Sequence, residues 1–242
     1  MYRIQVWGYK QAWVHRIRSK WHQLRAKRQG EPFMALDYVR RYAPGRSFVD
    51  IGGMWGINGR YSFEAEAAGA SRVVLVDIDE TPDFSARVSR EDSKVEFVKY
   101  DATSPSLQEE IGEFDVVWCF GVLYHLPDPL GFLQNLRRIC KEKLILETLA
   151  IPEVPGFRNM ATFFPMQPTG AANPWDTSRK GAAARQLAIS VDYEPAEGYS
   201  NNFWGMTPSC VESLLKTAGF TVETSQMMSR SLLRHAFVAR PD

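Results

Sequence analysis

Val49-Asp50-Ile51-Gly52-Gly53-Met54-Trp55-Gly56-Ile57-Asn58-Gly59 is the stretch whose reading decides the fold. It closes an apolar run, Ser47 to Ile51, with a cluster of glycines, the pattern of a buried parallel strand ending in a tight loop. Glycines in such a loop let the backbone approach a ligand closely. The start of the next helix offers unpaired N–H groups. That helix is expected from Arg60 to Ala68, stopped by Gly69.

Outward from this motif the period alternates. Val73–Asp77, Val95–Lys99, Asp115–Phe120 and Lys143–Glu147 read as further buried strands, with a helix from Pro129 to Cys140 before the last. Strands alternating with helices imply βαβ units and a mostly parallel, doubly wound α/β sheet covered on both faces. Thr207-Pro208 reads as a Thr N-cap with Pro at the first helical position, opening a helix that runs to Ala218. Phe220–Thr224 and His235–Ala239 complete seven strands. Upstream, residues 10–28 carry Trp13, Ile17, Trp21 and Leu24 at helical spacing, and a second helix is expected from Phe33 to Tyr42. The division is a helical extension over 1–46, a ligand-binding core over 47–150, an insert over 151–206, and a closing segment over 207–242.

An acidic residue, Asp77, ends the second strand, where a carboxylate can accept both hydroxyls of a ribose. The order strand, glycine loop, helix, strand, Asp suits a nucleoside ligand. The glycines at 52, 53, 56 and 59 fit the dinucleotide spacing poorly. Asp50, directly before the loop, would repel a pyrophosphate and suits a ligand carrying ammonium and sulfonium groups.

Asp50-Ile-Gly-Gly53, Tyr61–Ala70 and Val73–Asp77 together resemble the first motifs of class I methyltransferases. Phe114–Pro129 is similar to their fourth motif and the segment after it. Gly121-Val-Leu-Tyr-His125 and Asn201-Asn-Phe-Trp204 are similar to the subgroup with the bacterial tRNA wobble-uridine carboxymethyl-transferring enzymes. Met54 replaces the middle glycine of the usual loop, which is about three residues longer here.

The resemblance implies a seven-stranded, Rossmann-like fold and S-adenosylmethionine (SAM) as cofactor. Gly52, Gly53 and Gly56, with Asp50, would serve its methionine end, and Phe120 and Gly121 would lie near it. Asp77 would hold the ribose, Ile78 would pack on the adenine, and Asp101 beside Ala102 would accept the adenine amino group. His125, after the fourth strand, is the candidate base for the acceptor's proton; Tyr124 would shape the acceptor pocket. His125 capping a helix or bonding a carbonyl is the equal alternative.

The insert is expected to form an acceptor lid. Phe157, Phe163, Phe164, Trp175, Tyr193 and Tyr199 could clasp an apolar acceptor, and Arg158, Arg179, Lys180 and Arg185 could meet an anionic one, while each taken singly reads first as surface or packing. Asn201 and Asn202 are expected to bond backbone rather than substrate.

Of 242 residues, 45% are hydrophobic and 24% charged, ordinary for a globular protein. No apolar run of membrane-spanning length and no secretory h-region occurs, so a cytoplasmic protein with no membrane partner is expected. Cys119, Cys140 and Cys210 form no metal or disulfide pattern, and His15, His22, His125 and His235 have no ligand spacing, so no metal is expected. Residues 1–46 hold eleven Lys and Arg against Glu31 and Asp37. A solvated basic helix face is the plain reading, and an RNA-gripping arm the sharper one. The leading expectation is O-methylation of a small molecule. The alternatives are an RNA methyltransferase using the basic arm and a non-catalytic cofactor-binding protein.

Overall fold

The computed structural model describes residues 35–165, 193–229 and 233–242. The helix expected over 10–28 lies outside them. The first described element is helix α1, Ala35–Tyr42, with Val39 buried.

β1, Ser47–Ile51, is buried along almost its whole length. It pairs in parallel with β2, Arg72–Asp77, on one side and with β4, Phe114–Phe120, on the other. β3, Glu96–Lys99, lies outside β2. β5, Cys140–Leu149, continues the parallel set beyond β4. β8, Phe220–Ser229, and β9, Arg234–Pro241, form an antiparallel hairpin that docks through β9 onto β5. The seven-stranded order is β3-β2-β1-β4-β5-β9-β8.

Period-two alternation sends side chains to two cores. Val49, Ile51, Val117, Cys119, Leu144 and Leu146 face Phe132, Leu133 and Leu136 of helix α5, Pro129–Ile139, and Val211 and Leu215 of helix α6, Pro208–Thr217. On the opposite face, Tyr61 of helix α2, Arg60–Ala67, packs against Trp118 with ring centroids 4.9 Å apart. Phe63 of α2 meets Phe84 of helix α3, Pro82–Glu91, at 5.3 Å. Helix α4, Leu107–Ile111, buries its two end residues against the α5 side.

Several boundaries differ from expectation. α3 and α4 were not anticipated. α3 carries the same cap as α6: Thr81 accepts from the Phe84 amide and Pro82 follows, just as Thr207 accepts from the Cys210 amide ahead of Pro208. β5 starts directly at the end of α5, with no loop. The described parts of the insert include β6, Ala161–Phe163, which pairs antiparallel with β7, Trp204–Met206, as a small second sheet.

Candidate active site

The carboxyl ends of β1, β2, β4 and β5 surround a cavity of about 1040 Å³. Ligands in open α/β sheets bind at this edge, where the strand order reverses, here between β1 and β4.

The glycine loop makes one wall. Gly52 has φ +76 and donates its amide to Val76 O at 2.8 Å. A side chain there would run into Val122 Cγ2, so the loop and the turn after β4 touch only because residue 52 is glycine. The loop is tied to β2 through Asp77. Its Oδ2 accepts the Met54 amide at 2.9 Å, and its Oδ1 accepts the Ile78 amide at 2.7 Å. Burial pushes the Asp77 pKa upward against those bonds. Asp77, Ile78, Asp101, Ala102, Phe120 and Gly121 all line the cavity, as does Gly52.

Asp101 is held from two sides. Oδ1 accepts the Thr103 amide at 2.9 Å, and Oδ2 accepts the Tyr199 hydroxyl at 2.9 Å. Tyr199 lies beyond the undescribed part of the insert, so this bond ties the insert's far end to the loop after β3.

Three expected ligand residues do not reach the wall. Asp50 is 1% exposed. Alternation along β1 turns its side chain to the α2 face, where Oδ2 accepts the Ser62 hydroxyl at 2.9 Å. Burial lifts its pKa from 3.8 to about 7; the Ser62 bond opposes this and Asp77 adds to it. Gly53 is glycine because a Cβ would press into that Asp50 carboxylate, and Gly56 sits at the loop's open outer bend. These residues shape the loop from beneath and outside.

His125 and Tyr124 sit on a single 3₁₀ turn, Leu123–His125, and both line the cavity. His125 Nδ1 lies 2.8 Å from Asn201 O. A carbonyl only accepts, so Nδ1 carries the proton and Nε2 keeps a lone pair. Burial lowers the His125 pKa, the Asn201 bond raises it, and Arg234 lowers it further. The ring bonds a carbonyl and also borders the cavity. Asn201 bonds backbone as anticipated. Its Nδ2 donates to Glu194 O at 2.8 Å and Gly198 O at 2.9 Å.

The aromatics of the insert divide. Tyr199 lines the cavity; Phe164 is buried with Tyr124, Leu149 and Ile151. Phe157 and Phe163 are exposed, and Tyr193 packs edge-on to Phe203. Arg158 is exposed, and Trp175, Arg179, Lys180 and Arg185 lie outside the described residues. Among the lining residues with no expected role are Tyr61, Glu147, Arg234 and the 82%-exposed Trp55. Among the described residues no cluster of His, Cys, Asp or Glu could hold a metal ion. No described helix is long and apolar enough to cross a membrane.

Residues 49–146 match the family model of a methyltransferase domain. Over 98 residues the chain is 34% identical to the ubiquinone biosynthesis O-methyltransferase of Pseudomonas aeruginosa (strain UCBPP-PA14), covering 40% of each chain. The chain thus spans well under half the length of such curated relatives. A magnesium protoporphyrin IX methyltransferase of Synechocystis PCC 6803, in a crystal structure with bound SAM, aligns with TM-score 0.55 at 17% identity, over 86% of this chain and 78% of that one. The cyclase SpnF aligns with TM-score 0.56 at 14% identity, over 85% and 79%. The fold is therefore the Rossmann-like fold of class I methyltransferases, a fold that also carries other chemistry.

Proposed function

We propose that the chain is a SAM-dependent methyltransferase acting on an oxygen of a small molecule. One observation carries this reading. A single cavity joins the carboxylates and apolar surface suited to a nucleoside, Asp77, Ile78, Asp101 and Ala102, to an imidazole whose lone pair is fixed by a backbone carbonyl. The residues present fit the cofactor. Asp77 Oδ1 and Oδ2 retain lone pairs for two ribose hydroxyls, Ile78 is an exposed apolar face, and Gly52 lines the same cavity. When bound, SAM supplies a methyl carbon already activated by the sulfonium.

The protein's own part is positional and acid–base. The turn at 123–125 brings His125 Nε2 toward an acceptor hydroxyl to receive its proton as the oxygen attacks in line. Tyr124 and Phe120 exclude water around the reacting oxygen. In this reading residues 47–150 bind the cofactor and 207–242 complete the sheet. The relatives' O-methyltransferase activity supports oxygen as the acceptor atom. The three free cysteines suit a reducing, cytoplasmic setting.

A second reading, an RNA methyltransferase related to the tRNA wobble-uridine subgroup, rests on the basic residues of 1–46 and the Gly121–His125 and Asn201–Trp204 segments. Calorimetry with S-adenosylhomocysteine (SAH), followed by turnover of SAM with phenolic acceptors and with RNA, tests both. SAH binding with phenol turnover supports the first reading. Turnover of RNA that collapses as salt rises supports the second. Absence of SAH binding overturns both, and SAH binding without any turnover makes the chain a non-catalytic cofactor binder.

A further inference from the structure

Across the sheet from Asp77, the cavity wall carries a charged pair that the proton-transfer chemistry leaves unused. Glu147 stands near the end of β5, in register with Phe120 on one side and Ala236 on the other. Arg234 opens β9 opposite Leu149. Both line the cavity. Arg234 Nη2 donates to Tyr124 Oη at 2.9 Å, and its guanidinium lies 4.8 Å from the Tyr124 ring centroid. Arg234 Nη1 approaches Glu147 Oε1 at 3.3 Å. Glu147 is only 6% exposed, yet neither Oε1 nor Nη1 makes an aligned hydrogen bond.

A pair kept only for stability is a poor use of two buried ions. Desolvation offsets their attraction unless the geometry is good and the remaining lone pairs and protons are satisfied. Here the geometry is splayed, and the splay is on the wall of a cavity. Tyr124 accepts from Arg234, so its own O–H proton remains to be donated, and its ring is 4.0 Å from that of His125. Oε1 and Nη1 are themselves enclosed, while Glu147 and Arg234 border the cavity beside His125.

We infer that Glu147 and Arg234 are the acceptor-recognition dyad, selecting a neutral hydroxylated molecule that presents a hydrogen-bond donor next to an oxygen acceptor, as hydroxy-amides and hydroxy-carbonyls do. The ligand's donor goes to the Glu147 carboxylate. Its oxygen goes to the Arg234 guanidinium and the Tyr124 hydroxyl. An anion drawn to Arg234 meets Glu147, and a cation drawn to Glu147 meets Arg234, so neither recovers its own desolvation. A neutral ligand with both groups gains two charge-assisted bonds without either repulsion. This inference rests on the methyltransferase reading of the same cavity.

The test is binding of three size-matched ortho-substituted phenols to SAH-saturated full-length protein: hydroxybenzamide (neutral), hydroxybenzoate (anionic) and aminomethylphenol (cationic). Wild-type protein binds the amide about tenfold more tightly than either charged probe. Glu147→Gln shifts preference toward hydroxybenzoate by about tenfold, and Arg234→Gln shifts it equally toward aminomethylphenol. The double variant leaves no lone buried charge and guards against misfolding; it loses discrimination among the three. Unchanged charge preference in folded, SAH-binding variants overturns the dyad. So does wild-type protein that binds SAH but not hydroxybenzamide. Failure of wild-type protein to bind SAH overturns the methyltransferase reading itself, a separate and recognisable result.

Discussion

Asp50→Asn isolates the buried carboxylate beneath the glycine loop. Asp50 is enclosed on the α2 face, with the Ser62 hydroxyl on Oδ2 at 2.9 Å. Burial is the main reason its pKa rises from 3.8 to about 7. The native state therefore holds this proton more tightly than the unfolded chain does. The stability so conferred is fully present below about pH 4 and is lost as pH rises to about 7, then stays flat. A rise of this size is worth about 4 kcal/mol, at about 1.4 kcal/mol per pH unit. Asparagine keeps an acceptor for Ser62 and never ionises. Urea unfolding of both proteins between about pH 4 and pH 8 gives a difference curve in which all other titrations largely cancel. Wild-type protein loses about 4 kcal/mol relative to the variant across that window. A curve flat within about 0.5 kcal/mol refutes the burial argument. The same linkage reaches the ligand: a positive charge above the loop favours the ionised carboxylate, so SAM affinity rises through pH 7 in wild-type protein only.

Asp77→Ala removes two acceptor atoms and the tie to Met54; SAH affinity falls by more than about 100-fold in calorimetry with circular dichroism unchanged, and wild-type affinity removes Asp77 as the ribose holder. His125→Gln lowers turnover by about 100-fold or more while SAH affinity holds. Because burial lowers the His125 pKa from 6.5, the acid limb of the wild-type kcat/KM profile lies below that value, and a limb above it contradicts the geometry. Gly52→Ala and Gly56→Ala both force a side chain into positive φ, at about 1–2 kcal/mol each. Only the first collides with Val122, so its melting temperature falls clearly further; equal losses contradict the loop packing.

The parallel part of the sheet is legible because buried strands read as short apolar runs: β1, β2 and β4 are such runs, and β5 contains one, Leu144 to Leu146. β8 extends to Ser229, beyond the expected Thr224, because Glu223, Thr224 and Ser225 are exposed and dilute the apolar signal. α3 buries only Phe84, too little to mark a periodic stripe, although its Thr81-Pro82 cap is visible in the sequence. Asp77 and Asp101 line the cavity because position after a strand decides which edge a residue reaches. Asp50 was misplaced because it lies within the strand, where alternation with Ile51 turns it away from the cavity. Glu147 and Arg234 meet only through the antiparallel pairing of β5 with β9, a contact that no local pattern announces.

Asn201 links the insert to His125. Its side chain closes the turn over 194–201 with three bonds: Oδ1 accepts the Glu194 amide at 3.0 Å, and Nδ2 donates to Glu194 O and Gly198 O. The turn so fixed aims the Asn201 carbonyl at His125 Nδ1. Nearby, the Phe203 amide donates to Tyr124 O at 2.8 Å, holding the two segments side by side. If His125 is the base, Asn201 is a positioning residue acting through it. Asn201→Ala removes all three side-chain bonds, about 2–3 kcal/mol of local order, and leaves the carbonyl unaimed. The imidazole then divides between its two neutral tautomers, one of which has a proton where the acceptor's should go. Turnover falls about tenfold with acceptor KM little changed, and nitrogen NMR of His125 shows mixed tautomers. Asn201→Asp keeps only the bond from the Glu194 amide and recovers part of the loss. A variant that slows turnover while His125 keeps one tautomer assigns Asn201 to lid closure instead of the proton.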